Sequence, residues 1–271
     1  MRVAVTGGRG FIGGYVIDEL ERRGYEAVSL DRHDGFDVLS EKTTEELEYC
    51  NAVIHLAGVL GTDELFDEAE AAILVNVTGT YKILRACSDY NLRYVGITMP
   101  QCWDNIYQAT KLAAVKIAGA FHRHMGVPIS HVRAFNVFGS GQKVGKPQKI
   151  IPTFSHAGWN GEPLPIWGDG DQLVDLVYVT DVARMLVDAL DYGDGQVFDA
   201  GSGIPLTVMD VATMVLDITG AHQLKRLPMR RGEHGRGVHA EGEGWDLLGW
   251  KPHFLIDDLV KTVESYRHTV I

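Results

Sequence analysis

The sequence predicts an α/β protein: a doubly wound parallel sheet carrying a smaller mixed α/β lobe built from the C-terminal part of the chain. Three observations carry this expectation. Through the first half, short β-branched runs alternate with segments whose apolar residues recur every three or four positions. Such alternation implies helical crossovers, hence parallel strands covered on both faces. A glycine triplet lies between the first strand-like run and the first helical one. After Gly139 the texture changes, and the glycine- and lysine-rich "GSGQKVGKPQK" reads as a loop.

The elements follow in order. "RVAVT" (2–6) is the first strand, and "FIGGYVIDELERRG" the first helix, running up to Gly24. A glycine suits a helix C-terminus because it adopts the left-handed conformation without strain. "EAVSL" (26–30), "AVIHLA" (52–57), "RYVGIT" (93–98) and "ISHVRAF" (129–135) read as further strands. Helical spacing covers roughly 66–89 and 106–125, the latter ending before Gly126. Beyond the loop come a short helix in "IIPTFSHAGWNG" and short strands in "PLPIWG", "DLVYV" and "QVFDAG". Helices are expected near 180–191, 207–219 and 255–267.

Composition narrows the function. The chain has 271 residues, 45% of them hydrophobic, enough for a well-buried core. A net charge of −11 repels phosphate backbones and anionic lipids, which argues against nucleic acid and membrane partners. No apolar run approaches the ~20 residues that span a bilayer. "MRVAVTGG" lacks the features of a signal peptide. Cys50, Cys87 and Cys102 are odd in number and show no CxxC spacing, so a reduced, cytoplasmic protein without a metal is expected. "Asn76-Val77-Thr78" matches a glycosylation acceptor, which that setting makes a coincidence. The eleven histidines lack metal-ligand spacing.

The stretch "VAVTGGRGFIGGYV" carries glycines at 7, 10 and 13. Gly7 allows the tight turn, Gly10 a close backbone approach to a pyrophosphate, and Gly13 close helix–strand packing; the helix N-terminus then offers free N–H groups to the phosphates. This is the fingerprint of a Rossmann, dinucleotide-binding domain. We assign it to 1–139, with segments near 174–200 returning to it, and a substrate lobe to 140–271. Asp31 follows the second strand, eighteen residues beyond Gly13. An acid there accepts from ribose hydroxyls and repels a 2′-phosphate, which favours NAD. Arg32 pulls the other way, since a guanidinium could pair with that phosphate.

"YQATK" places Tyr107 and Lys111 four residues apart. Ten tyrosines in this composition supply about 0.4 such pairs by chance, so spacing alone does not decide its role. One helical turn does put both on one face. A phenol titrates near ~10, and lowering it by ~3 units takes about 4 kcal/mol of differential stabilisation. A neighbouring ammonium acts in that direction.

In order and through nearly the whole chain, these motifs resemble the extended short-chain dehydrogenase/reductases, and more narrowly the nucleotide-sugar epimerase/dehydratase family. "TGGRGFIGG" is similar to its cofactor loop (Gly7, Gly10, Phe11, Ile12, Gly13), and "FDVL" to its adenine contact (Asp37, Val38). "HLAG" resembles its third-strand motif (Leu56, Ala57, Gly58), and "VNVTGTYKILRAC" its next helix, with Asn76. "VRAFNVFGSG" brings Phe135 and Asn136, while "IWGDGDQLVDLVYVTDVA", "RRGE" and "LLGWKP" resemble the substrate-lobe pattern. The resemblance implies that Tyr107 exchanges the substrate proton and that Lys111 also holds the nicotinamide ribose. It implies substrate contacts at Thr98, Met99, Asn136, Lys149, Ile150, Ile166, Arg230 and Glu233. It further implies a homodimer through a four-helix bundle. Ile73, Leu74, Ile117 and Ala120 supply apolar positions beyond a sheet-facing stripe.

The chain departs from the family pattern at several points. Thr98 and Met99 stand where a hydroxyl pair is usual, so either Thr98 serves in a shifted register or the hydroxyl is missing. Pro100 and Gln101 occupy positions where dehydratases and decarboxylases carry acids. The segment to Tyr107 is trimmed, and Val174 replaces one of two expected arginines, leaving Arg230 with Lys143, Lys146 or Lys149 as substitutes. Trp159 and Trp167 are candidates for the pocket wall or for the core. The leading expectation is an NAD-dependent nucleotide-sugar epimerase. A reductase or dehydrogenase of the same fold, and a non-catalytic dinucleotide-binding protein, are the competing readings.

Overall fold

The computed structural model describes residues 1–233 and 235–269. In chain order it contains β1 (Arg2–Thr6), α1 (Phe11–Arg22), β2 (Glu26–Leu30), α2 (Glu41–Glu46), β3 (Ala52–His55), α3 (Ala69–Ala72), α4 (Thr80–Asp89), β4 (Arg93–Thr98), α5 (Ile106–Met125) and β5 (Ile129–Ala134). There follow β6 (Asn136–Phe138), α6 (Ile150–Trp159), β7 (Leu164–Trp167), β8 (Leu173–Val174), β9 (Leu176–Tyr178), α7 (Val179–Asp188), β10 (Asp194–Ala200), β11 (Leu206–Thr207), α8 (Val208–Thr219), β12 (Leu224–Leu227), α9 (Trp245–Leu248) and α10 (Ile256–Ser265).

Six parallel strands make the main sheet, in the order β10-β5-β4-β3-β1-β2. The chain runs from β1 out to β2, then crosses back over β1 to β3. Crossovers on either side of such a reversal leave to opposite faces, and a crevice opens beyond the C-terminal ends of the strands. The period of two along β1 feeds both layers. Val3 and Val5 join Val16, Leu20 and Leu186 of α1 and α7, while Ala4 joins Ile83, Leu84 and Phe121 of α4 and α5. A third core, including Phe154, Val211, Val215 and Val263, holds the lobe.

Two buried carboxylates stitch the C-terminal part to this frame. Asp199 on β10 is fully buried beside its register partner Arg133, whose Nε donates to it at 2.7 Å. The backbone N–H groups of Glu241, Gly242 and Glu243 donate to the same side chain, each at 3.2 Å. Asp175, also fully buried, accepts from the N–H and hydroxyl of Ser202, both at 2.7 Å, and from the Ala240 N–H at 2.8 Å.

Four element boundaries that matter for the site differ from the sequence expectation. The strands expected at 52–57 and 129–135 stop at His55 and Ala134, where the backbone turns to line the crevice. The helix expected from 66 begins at Ala69 and contains a π-helical stretch, Ile73–Gly79, centred on Asn76. "QVFDAG", met after the change of texture, extends into β10 at the edge of the main sheet.

Candidate active site

The crevice is a cleft of about 560 Å³ between the strand ends and the lobe. At one end, β1 turns through Gly7 (φ +71) into α1. The Gly10 N–H donates to the Gly7 carbonyl at 2.9 Å. A Cβ at Gly13 would fall 2.2 Å from that carbonyl oxygen, so only glycine permits the contact. No side chain caps α1 and no acid lies in its first turn, leaving its leading N–H groups to the cleft. Asp31, 9% exposed, lines the same end and accepts from the N–H groups of Arg9 (3.2 Å) and His33 (3.0 Å). Burial would raise its carboxyl, but the His33 N–H and ring and the Arg9 N–H together hold it below the usual range. Arg32, Asp37 and Val38 line this end with Phe11 and Ile12.

Leu56, Ala57 and Gly58 form the next part of the wall. Beneath them a buried chain fixes the tautomer of His55. The Thr6 hydroxyl oxygen accepts the N–H groups of Leu56 and Ala57, both at 3.2 Å, so its proton goes to His55 Nδ1, 2.7 Å away. His55 Nε2–H then faces the Thr80 hydroxyl at 3.0 Å, which donates onward to the Asn76 carbonyl at 2.7 Å.

Asn76 itself does not line the cleft, contrary to the expectation of a cofactor contact. It is 2% exposed and acts one layer behind. Its amide accepts from the Val59 N–H (2.8 Å) and donates to the Val59 carbonyl (3.0 Å) and to Thr110 (3.1 Å), whose hydroxyl bonds the Tyr107 carbonyl at 2.9 Å. The π-helical stretch turns this side chain inward, so it ties the loop after β3 to the turn that carries Tyr107.

Asn105 caps α5, accepting the Gln108 N–H at 2.9 Å, and thereby sets the turn on which Tyr107 and Lys111 point into the cleft. Thr98 and Met99 line the cleft beside them, at the end of β4. Burial pushes the Tyr107 phenol up to about 12 and the Lys111 ammonium down to about 8. The expected lowering of the phenol is therefore not supplied by the protein's own groups; burial raises it instead. Burial, with Lys111 adding to it, also keeps two histidines on strands β3 and β5 neutral: His55 at about 3 and His131 at about 4.

Phe135 and Asn136, just past β5, line the cleft next, and the lobe closes the other end with Lys149, Ile150, Arg230 and Glu233. Arg230 lies over Trp167, 4.8 Å from the ring centre, and meets both oxygens of Glu233, with Nε at 2.9 Å. Lys149 is held below the usual lysine range by burial and by Arg230. Val174, at the expected arginine position, is buried in the β8–β11 pair. Ile166 is fully buried in the lobe core, not in the cleft; its neighbour Trp167 lines the cleft instead, because successive residues of β7 face opposite ways. Trp159 packs against the lobe core.

Sequence reasoning missed Cys102, Trp103 and Gln172 on the wall. Gln172 lay within a quoted motif and could have been found there. Cys102 and Trp103 lie in the trimmed loop, which matched no motif. Burial pushes the Cys102 thiol up to about 11. Among the described residues the acids lining the cleft are Asp31, Asp37 and Glu233, and none of them lies in the segment from Thr98 to Tyr107. No group of His, Cys, Asp or Glu among the described residues could hold a metal ion.

Comparison with known proteins agrees with this geometry. The model of the NAD dependent epimerase/dehydratase family matches residues 3–98 and 100–201. The chain is 27% identical to the UDP-glucose 4-epimerase of Mycolicibacterium smegmatis, over 99% of each chain. It is 28% identical to the dTDP-glucose 4,6-dehydratase of Streptomyces niveus, over 98% of this chain and 93% of that one. The structure of MoeE5 in complex with UDP-glucose and NAD superimposes with a TM-score of 0.90 at 27% identity, covering 98% of this chain and 99% of that one.

Proposed function

The chain belongs to the NAD-dependent epimerase/dehydratase family, and from that premise we propose that it is an NAD-dependent epimerase of a nucleotide-linked sugar. One observation carries the choice of epimerase. Within 98–107 the cleft wall is formed by Thr98, Met99, Pro100, Cys102, Trp103 and Tyr107, and none of them is a carboxylate. Eliminating water requires a second group to protonate the leaving hydroxyl while another removes a carbon-bound proton. Here Pro100 lines that wall, and burial pushes the Cys102 thiol up to about 11, which makes it a poor proton donor at neutral pH. One proton-transfer group, Tyr107, suffices for an epimerisation.

The residues fit the cofactor. The uncapped first turn of α1 and the Gly7–Gly10 turn suit a pyrophosphate, and Asp31 suits ribose hydroxyls. Lys111 and Tyr107 would hold the nicotinamide end. When bound, NAD supplies the hydride acceptor and donor. Tyr107 takes the proton of the sugar hydroxyl at its phenolic oxygen and returns it to the same oxygen. Lys111, an ammonium below about pH 8, favours the phenolate that this requires. Thr98 steadies the substrate oxygen from the end of β4. Arg230 and Lys149 face the nucleotide phosphates.

Incubation with a panel of UDP- and dTDP-sugars tests the reading. The expected result is interconversion of two stereoisomers without net formation of reduced cofactor, lost in Tyr107→Phe while NAD binding survives. A dehydrated keto sugar, or steady accumulation of reduced cofactor, would overturn it. The second reading, a reductase using NADP, is favoured by Arg32, whose exposed side chain lines the cleft near Asp31. NADP binding as tightly as NAD would support it. The proposed protein partner is a second copy of this chain, and the proposed setting is the cytoplasm, consistent with three free cysteines and with no helix long and apolar enough to cross a membrane among the described residues.

A further inference from the structure

The segment Met229–Glu233 faces two ways. Inward, Arg230 and Glu233 line the cleft as a bidentate pair against Trp167. Outward, Arg231 reaches across to the loop that follows β3. Its Nε donates to Asp63 Oδ1 at 2.8 Å, and one terminal nitrogen donates to the Asp63 carbonyl and to Asp67 Oδ2, both at 3.1 Å. Its guanidinium carbon lies 4.6 Å from the centre of the Phe66 ring. Between the two arginines and Glu233, Gly232 takes φ +79, and its carbonyl accepts from Asn105 Nδ2 at 3.0 Å. A Cβ there would come within 2.8 Å of Phe66 and 2.9 Å of Asn105, so the backbone is seated directly on both.

The loop that Arg231 grips is itself part of the cleft. Leu60, Gly61 and Thr62 line it just before Asp63, and Asn76 holds Val59 at the loop's root. Asn105, which holds Gly232, also caps the helix of Tyr107. One exposed guanidinium therefore joins the wall carrying the substrate-facing pair to the wall nearest the cofactor end.

We propose that Arg231 is a positioning residue for substrate binding: by clamping 229–233 onto the loop after β3, it sets where Arg230 and Glu233 stand in the cleft. Its ligand, a nucleotide diphosphate, rests on the function proposed above; the clamp does not. A lone exposed ion pair contributes little. Here a planar guanidinium is shared by two carboxylates, a carbonyl and an aromatic face, a set that lysine's single ammonium cannot reproduce. The Arg231 side chain is 50% exposed, so added salt screens the clamp. Glu233, 7% exposed, keeps the inner pair largely out of that screening.

The test compares wild type with Arg231→Ala, Arg231→Lys and the double variant Asp63→Asn/Asp67→Asn. Amide hydrogen exchange is read without nucleotide, and affinity for UDP by calorimetry at low and high salt. In Arg231→Ala and the double variant, amides 229–233 should exchange faster while β1 to β5 keep their protection and NAD affinity and the melting temperature stay as in wild type. UDP affinity should weaken roughly fivefold, a sum of small exposed contacts. Wild type should lose more affinity with salt than Arg231→Ala, and Arg231→Lys should recover only part of the loss. Unchanged exchange at 229–233 overturns the proposal. So does unchanged UDP affinity, provided wild type binds UDP. If wild type binds neither UDP nor dTDP, the nucleotide-sugar reading fails, and the exchange result alone decides the clamp.

Discussion

Thr98 and Arg230 line one cleft but answer to different parts of a reaction. Thr98 stands at the end of β4 with Tyr107, where charge would develop on the substrate oxygen. Removing one positioned donor of that kind costs on the order of 10²-fold in kcat. Thr98→Val should therefore lower kcat about that much, and a fully active variant would show that the hydroxyl is not used. Arg230 faces a group whose charge does not change, so Arg230→Ala should raise KM and leave kcat nearly alone, the signature of uniform binding. Steady-state kinetics on the preferred nucleotide sugar separates the two; an unchanged KM would undercut the nucleotide-diphosphate substrate. At this scale the glycines were legible because they fall between a recognisable strand and helix, whereas Tyr107 and Lys111 were singled out by the family resemblance and not by their spacing. The pairing of Arg230 with Glu233 was not, since a sequence does not say which carboxylate a guanidinium will select. Nor was the raised phenol, because desolvation depends on what surrounds Tyr107 in space. Ile166 was misplaced by a single step of the strand period.

Elements bring buried charge chemistry together from far apart in the chain. β3 and β5 place His55 and His131 beneath Lys111, 3% and 6% exposed. Their folded values, about 3 and about 4, lie below the ordinary 6.5. Between those values and 6.5 the unfolded chain binds protons that the fold refuses. Stability therefore falls as pH falls through that window, by up to ~1.4 kcal/mol per pH unit for each histidine. Thermal unfolding should show a midpoint dropping steadily from pH 7 to pH 5. The His131→Phe variant should show a shallower drop, since one refused proton is gone; an unaltered slope would place the acid sensitivity elsewhere. The strands holding these histidines were readable from β-branched runs, and α5 and α8 from their long period. The short pieces α2, β8, β11 and α9 were not, because two to six residues complete too little of a period. The π-helical stretch leaves no mark in spacing, yet it is what turns Asn76 inward.

At the scale of the molecule, apolar side chains stand exposed on the helices α3 to α5 among the described residues. Ile73 (50% exposed), Leu74 (43%) and Tyr81 (46%) stand out from the helical stretch through α3 and α4, and Ala120 is exposed on α5. Ile117 packs partly against the core and contributes less than expected. Contiguous apolar surface of this kind is usually buried in an interface, and helices on one face suit a two-fold pairing. Light scattering at micromolar concentration should give twice the chain mass, and a monomer would refute the second-copy reading. At this scale the layering was legible from strand–helix alternation, while the strand order rests on crossovers that periodicity alone does not fix. The carboxylates of Asp175 and Asp199 add a consequence for biosynthesis. Arg133, Ser202 and Gly203 supply part of their donors, and the rest are N–H groups of residues 240–243. A nascent chain can pair β1 to β5 and shape the phosphate turn while the rest is still being translated. It cannot complete the hydrogen bonds of those two acids until residues 240–243 have left the ribosome, so the cofactor end of the cleft takes shape during translation and the sugar end only near its close.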